Sequence, residues 1–176
     1  MRNAASAVSR GVEVDWQWLS PWPWFEFAGA VGYIDARYRD YPGAPAPISE
    51  GIGVQQNLGG ERLAFTPEYS ASLSPKFQFP ITPDVGISLV FDVLYASDKF
   101  SDTDLDENTR ILETTRVNAR LNLGAIDRSW SVTVGVKNLT EVIELNKAND
   151  TPFFPGTYHA QQAPGREVFA AFRLSL

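Results

Sequence analysis

The sequence contains no cysteine, and this absence excludes disulfide bonds, thiolate metal sites and cysteine nucleophiles. It also contains no run of about 18 apolar residues, so a transmembrane helix is not expected. A membrane protein is still possible, because barrel strands alternate apolar and polar residues and keep their mean hydropathy near neutral. The net charge of −6 comes without a basic patch, so nucleic acid is not an expected partner.

Two functional signals are also missing. The N-terminal stretch MRNAASAVSRGVEVDW has arginines but lacks the apolar core of a secretory signal. The single histidine, His159, has no nucleophile or carboxylate at a fixed spacing that would form a catalytic group. We therefore predict that the chain is not an enzyme and binds no cofactor.

What the sequence does contain is apolar and polar alternation with a period of two, which is typical of β-strands. In one clear case, Val132, Val134 and Val136 alternate with Ser131 and Thr133. Seven such segments are predicted, at residues 8–19, 24–38, 66–79, 85–95, 116–123, 130–137 and 168–176. Pro75 interrupts the third, where we expect a bulge or a missing ladder bond instead of a strand end.

Three features favour a transmembrane barrel. Most of the segments are long enough to cross the hydrocarbon core as tilted strands, which takes roughly 9–11 residues. Short turns alternate with long loops at residues 39–63, 97–113 and 139–164, as in outer-membrane barrels. Aromatic residues cluster near the strand ends, where a bilayer has its interfaces. Those near the short turns are Trp16, Trp18, Trp22, Trp24, Phe25, Phe77, Phe79 and Trp130; Tyr33, Tyr38 and Tyr95 lie toward the long loops.

The predicted fold class is therefore all-β, an antiparallel transmembrane β-barrel segment of about seven long strands. An odd strand count, a first strand that starts on the outer side and the missing export signal suggest that N-terminal sequence is absent. One alternative is that the polar face is the solvated side of a soluble antiparallel sandwich.

Several stretches resemble the late barrel of TonB-dependent receptors. They are GVEVDW followed by YIDARY, then LAFTPEYSASLSPKFQF, VGVKNLTE and the closing strand APGREVFAAFRLSL. In order and spacing they cover nearly the whole chain. One departure is Leu176, because the family usually ends in an aromatic residue.

The resemblance implies that residues 1–176 are the C-terminal portion of a barrel of about 22 strands, without its plug domain. Its partners would be outer-membrane lipid, the remaining barrel and plug, and TonB through a segment outside this chain. The implied location is the outer membrane of a Gram-negative bacterium, and the implied function is uptake of a ferric siderophore or similar scarce ligand. Alone, the chain would not be competent for transport. A small structural or porin-like barrel and a soluble β-rich binding domain are the alternatives.

Two sets of loop residues are candidate sites. Asp102, Asp104, Asp106 and Glu113 have the spacing of a calcium loop, although Glu107 stands where the turn needs glycine. A solvated acidic loop that resists aggregation explains the same pattern. Aromatic residues that flank or occupy the long loops could contact a ligand, but none is singled out: Tyr38, Tyr41, Phe100, Phe153, Phe154 and Tyr158.

Overall fold

The computed structural model describes residues 6–175, and its long strands form one antiparallel sheet. The strands, of 8 to 16 residues, are β1 (Ser6–Leu19), β2 (Phe25–Asp40), β3 (Tyr69–Pro80), β4 (Val85–Ala96), β5 (Thr114–Ala125), β6 (Trp130–Lys137) and β7 (Glu167–Leu174). They lie side by side in chain order, and the described strands do not close into a ring. The prediction of seven long strands in a partial barrel is confirmed. The predicted end of the last strand, Leu176, lies outside the described residues.

The register places most of the apolar residues of the sheet on one face. Phe25 pairs with Phe77, which pairs with Leu89, and the row continues through Leu121 and Val134. The neighbouring row on the opposite face runs from Glu26 through Lys76 and Val90 to Arg120. Since a slip of one residue would exchange the two faces, the alternation in the sequence specifies this register. A single sheet is not the arrangement of a sandwich, which needs two packed sheets.

Pro75 interrupts hydrogen bonding without changing the register. Pro75 pairs with Phe27 of β2. On its other side, the pairing of β3 with β4 stops at Leu73 and resumes at Lys76 in the same register. Proline has no N–H to donate, so the ladder loses a bond at this point. The predicted missing ladder bond is confirmed, and a bulge is not formed.

Gly29 is a position where a side chain would collide with two neighbours. A Cβ there would lie 2.5 Å from Cζ2 of Trp16 and 2.9 Å from the carbonyl oxygen of Ser72. We expect Gly29→Ala to lower the free energy of unfolding by about 1–3 kcal/mol, because the backbone on one side cannot move aside freely. Gly86→Ala is the matched control, since its Cβ would make an ordinary 3.5 Å contact. Urea unfolding of both variants measures the difference, and equal stabilities would contradict this packing.

The long connections contain structure that the sequence pattern did not predict. We name them the first (residues 41–68), second (97–113) and third (138–166) long loops. Each holds a two-stranded hairpin: Ala44–Pro45 with Gln55–Gln56, Lys99–Phe100 with Arg110–Ile111, and Leu145–Asp150 with Tyr158–Gln162. Two short 3₁₀ turns, Ile48–Glu50 and Glu107–Thr109, are the only helical elements in residues 6–175. These pieces are short and polar, so they show no apolar period that would reveal them.

The buried apolar cluster of the protein lies in the loops and not on the sheet. Leu58 and Ala44 are buried against Tyr38, and Tyr41, Leu63 and Leu105 pack around them, with Leu105 coming from the second long loop. The apolar face of the sheet has no second layer of protein over it. Within residues 6–175, no helix has the length and apolar character needed to cross a membrane.

Candidate functional site

The apolar face of the sheet is exposed and carries interlocking aromatic rings near the short turns. Val12, Val134 and Val168 are 67%, 45% and 71% exposed, which would promote aggregation in water. Trp24 stacks on Phe77 and Phe79 with ring centroids 6.4 and 6.1 Å apart. Of the eight rings predicted beside the short turns, seven form one contact network that also includes Phe27, and Trp130 is not part of it. At the opposite end, Tyr33 and Tyr69 are 5.1 Å apart. Two aromatic bands around an apolar zone match the two interfaces of a bilayer.

The opposite face carries paired charges along the middle of the strands. Lys76 Nζ lies 3.3 Å from Glu26 Oε2, and Arg120 Nη2 lies 3.1 Å from Asp92 Oδ2. The Ser74 hydroxyl donates to the other oxygen of Asp92 at 2.9 Å. These side chains keep substantial exposure, so water screens their attraction and each pair adds little to stability. The polar face is suited to a wet lumen.

At the short-turn end this polar face forms a groove of about 540 Å³. Its polar lining includes Gln78, Ser88 and Asn122 from three adjacent strands, with Lys76, Arg128 and Arg173 contributing positive charge. The Thr133 hydroxyl donates to Asn122 Oδ1 at 2.9 Å and orients that amide. Phe79, Ile87 and Trp130 also line the groove, so it can contact a partner inside the lumen that presents both polar and apolar groups.

Asp98 connects the first and second long loops. Its Oδ2 accepts from Arg62 Nη1 at 3.0 Å and from Arg110 Nε at 2.9 Å, while Arg62 also donates to the Asp98 carbonyl oxygen. Burial raises the pKa of the Asp98 carboxyl, but hydrogen bonds and charge from the two arginines outweigh it and hold the pKa below 3.8. The ionised form is therefore the bound form at neutral pH.

We expect Asp98→Asn to weaken this connection by about 1.5–3 kcal/mol, because two arginines lose a charged acceptor. The stabilisation is fully present above pH 3.8 and is lost as the pH falls through the still lower folded-state pKa. Hydrogen exchange at the Phe65 amide, which bonds the Phe100 carbonyl at 2.8 Å, measures the effect. Glu113→Gln is the control, since Glu113 has no ion pair among residues 6–175.

The acidic residues with calcium-loop spacing act as hydrogen-bond acceptors in the structure. Asp102 Oδ1 accepts from the Thr103 amide at 2.7 Å, Asp104 Oδ1 accepts from the Asp106 amide at 3.2 Å, and Asp106 caps the short 3₁₀ turn. Glu113 follows the hairpin, outside this turn. In the described part of the chain, no group of three or more His, Asp or Glu side chains is placed to hold a metal ion. The geometry adds no support to the calcium interpretation.

Five of the six candidate aromatics fall into two groups, and the sixth, Phe100, lies with its ring centroid 6.0 Å from the guanidinium carbon of Arg110. Tyr38 and Tyr41 contact each other at 5.1 Å within the buried loop cluster, so their main role is packing. Tyr158 is also engaged, since its hydroxyl donates to Asp106 at 3.0 Å. Phe153 and Phe154 are 79% and 64% exposed at the tip of the third-loop hairpin, where they remain open to a ligand. His159 pairs with Asn149 in that hairpin, away from any catalytic arrangement.

Comparison with known proteins adds an independent line of evidence. Residues 1–139 match the family model described as TonB dependent receptor-like, beta-barrel. Among curated proteins, no sequence matches this chain.

Solved structures of bacterial receptors share the fold. The ferric yersiniabactin uptake receptor FyuA from Yersinia pestis is 19% identical with a TM-score of 0.76, covering 98% of this chain and 24% of the receptor. The siderophore receptor PiuA from Acinetobacter baumannii is 15% identical with a TM-score of 0.69, covering 97% and 22%. The ferric preacinetobactin receptor BauA from the same organism is 13% identical with a TM-score of 0.64, again covering 97% and 22%. The chain thus spans about a quarter of their length.

Proposed function

Because this chain belongs to the family of TonB-dependent receptor-like β-barrels, we propose that it forms part of the wall of an outer-membrane receptor. That receptor would take up a scarce ligand, such as a ferric siderophore, with energy supplied through TonB. Residues 1–176 would be the C-terminal portion of its barrel, as the resemblance of the last strand to the closing strand of the family suggests. The role is transport and binding, without catalysis.

One observation supports the proposed location in the membrane. An exposed apolar face lies between two aromatic bands on strands that also present a charged, hydrogen-bonded face. Burying that apolar face in lipid removes it from water, whereas in solution it would remain unpaired. The short turns would then lie in the periplasm and the three long loops at the cell surface.

The ligand class is supported by the names of the similar structures. All three are described as receptors for siderophores or their ferric complexes, although their low identity to this chain establishes only the fold. In this chain, the exposed Phe153 and Phe154 offer apolar contact at the mouth of the barrel. We therefore propose a ferric siderophore as the ligand.

The chain would depend on other parts of the receptor. We propose that further strands pair with the outer edges of β1 and β7, because unpaired edges are not tolerated in lipid. We also propose that a plug domain fills the lumen against the polar groove and provides the contact to TonB. The chain alone would not be competent for transport.

Uptake of iron-55 siderophore complexes tests the proposal. The gene encoding the polypeptide that carries this chain is deleted in a strain lacking other siderophore receptors, and cells are grown under iron limitation. We expect uptake of at least one ferric siderophore to be lost, to return with the full-length gene and to disappear again when TonB is deleted. Expression of residues 1–176 alone should not restore it.

The controls separate the parts of the proposal. Uptake that persists without TonB would contradict energised transport, and restoration by residues 1–176 alone would contradict the dependence on other strands. Unchanged uptake of every ferric siderophore in the deletion strain would exclude this ligand class. Recovery of the polypeptide in the aqueous fraction would contradict the membrane location.

A further inference from the structure

The tip of the third-loop hairpin, residues 151–157, is a hydrogen-bonded turn that presents two exposed aromatic rings. The Thr151 amide donates to the Thr157 carbonyl at 2.8 Å, and the Phe154 amide donates to the Thr151 carbonyl at 3.1 Å. Phe153 has a φ of 67°, a left-handed conformation that bulky residues rarely adopt. A backbone held in this way persists where its surroundings determine it. The tip therefore has a defined shape, although Phe153 and Phe154 are 79% and 64% exposed.

The first strand of this hairpin is attached to the second long loop close to the start of the tip. The Ala148 amide donates to the Ser101 hydroxyl at 2.8 Å, and Ser101 is 1% exposed. At the next position, Asn149 Nδ2 donates to Asp102 Oδ2 at 2.9 Å. Two adjacent residues of the strand are thus held by two adjacent residues of the other loop.

Tyr158 makes the corresponding attachment on the second strand of the hairpin, directly after the tip. Its hydroxyl donates to Asp106 Oδ2 at 3.0 Å and accepts from Asn108 Nδ2 at 3.0 Å. Asp106 is 5% exposed, and its other oxygen accepts from the Asn108 amide at 2.8 Å. Opposite Tyr158 in the hairpin, Asp150 Oδ2 accepts from the Ile48 amide of the first loop at 3.0 Å. Tyr158 thus joins the end of the tip to a buried acceptor in the second loop.

We propose that the second long loop positions Phe153 and Phe154 as a preformed arm for the ligand, with Tyr158 as the principal positioning residue. This rests on the proposed function, because the arm would contact apolar groups of a ferric siderophore at the mouth of the barrel. Residues 151–157 contain no charged side chain, so apolar contact is what the tip offers. An arm that is already held in place loses less conformational freedom on binding than a loop that must first be ordered. Tyr158 would act on affinity through the position of the rings, without contacting the ligand.

Distances between spin labels test whether Tyr158 holds the tip in place. Labels are attached at Leu112→Cys in the second loop and Phe154→Cys in the tip, positions that are 72% and 64% exposed. The full-length polypeptide carrying this chain is used, with any cysteine outside residues 1–176 replaced. We expect one narrow distance distribution in the parent. After Tyr158→Phe the distribution should be about twofold wider, because the ring remains while the buried Asp106 carboxylate loses its hydroxyl donor.

Two further variants accompany this measurement. Tyr41→Phe is the matched control, since the Tyr41 hydroxyl has no hydrogen-bond partner within residues 6–175, and its distribution should match that of the parent. Asn149→Ala removes the bond to Asp102 and should also widen the distribution, so it serves as the second variant if Tyr158→Phe fails to fold. Equally narrow distributions in the parent, Tyr158→Phe and Asn149→Ala would overturn the proposal.

Uptake kinetics test whether Tyr158 acts through the two rings. Tyr158→Phe is introduced into the full-length polypeptide with the rings present and into one that carries Phe153→Ala and Phe154→Ala. Both are assayed with the panel of iron-55 siderophore complexes used for the deletion strain. With the rings present, we expect KM to rise about tenfold at an unchanged maximal rate, because only binding of the ligand is weakened. Without the rings, Tyr158→Phe should change KM by less than about twofold, since the residue it acts through is gone.

The outcomes separate this proposal from the proposed function. An equal rise in KM with and without the rings would show a general structural effect of Tyr158→Phe and would overturn the positioning role. An absence of uptake in the parent would instead contradict the proposed function, and the distance distributions would still decide whether Tyr158 holds the tip.

Discussion

Leu121→Arg is expected to lower the free energy of unfolding in lipid by about 2–4 kcal/mol, the cost of a cation on the lipid face of a barrel near mid-depth. Leu121 lies on the apolar face, 44% exposed, between Leu89 and Val134 in a cross-strand row. The row begins at Phe25 and Phe77 in the aromatic band near the short turns, but Leu121 itself lies inside β5 (Thr114–Ala125), so an arginine there cannot place its charge easily at an interface. Few single changes to the sheet should cost more.

The matched control for this prediction is Ser88→Arg on the other face. Ser88 belongs to β4 and pairs with Asn122 of β5, so its side chain points into the polar groove. Its arginine would remain in water, and we expect less than about 1 kcal/mol of change. Urea unfolding in lipid vesicles, followed by tryptophan fluorescence, compares the two. Equal losses for both variants would mean that the two faces do not differ in environment and would contradict the membrane orientation.

Leu58→Ala should destabilise the first long loop by about 2–5 kcal/mol and leave the sheet intact. Leu58 is 3% exposed in the loop cluster with Tyr38 and Ala44, and truncation would leave a cavity there. Because the cluster lies in the loops and at the outer end of β2, we expect local opening of the loop instead of global unfolding. The amide of Gly60, which bonds the Tyr38 carbonyl at 2.7 Å, should then exchange its hydrogen faster.

Ile52→Ala provides the comparison within the same loop. Ile52 is 68% exposed, so its truncation should change stability by no more than about 0.5 kcal/mol. Hydrogen exchange and limited proteolysis of both variants, with urea unfolding of the sheet as a third measurement, distinguish local from global effects. Faster exchange throughout β4 and β5 after Leu58→Ala would show that the loop cluster supports the sheet as well.

The strands could be predicted from the sequence because their period-two pattern separates an apolar face from a polar face. The predicted bounds 130–137 agree with the observed strand Trp130–Lys137, and the other predicted strand ends differ from the described ones by three residues or fewer. The loop hairpins could not be predicted in this way. Leu145–Asp150 is mostly polar, and it is held by contacts with a distant loop, such as the bond from the Ala148 amide to Ser101. Tertiary contacts of this kind leave no local period.

The candidate site residues, like the strands and loop hairpins, could be predicted from the sequence only in part. The acidic stretch around Asp104 is visible in the sequence as a pattern, but Asn149, which donates to Asp102 in that stretch, lies in another loop, and only the fold brings the two side chains together. The aromatic candidates can be recognised in the sequence, but only the structure shows that Tyr38 is buried in the loop cluster and that Phe153 is exposed. The sequence identifies candidate site residues, and the fold determines which of them are in contact.

The chain-order arrangement of the strands has a consequence for how the sheet forms. Every long strand pairs only with the strand before and after it in the chain. Pairing across a short turn closes only a short loop and loses little entropy, which favours formation of the hairpins β1–β2, β3–β4 and β5–β6 before the strands joined by the long loops pair. A break in one of the long loops would interrupt the covalent chain while preserving every strand pairing. Two separately produced pieces, divided for example at the exposed Gly53, should therefore be able to reassemble into the same sheet.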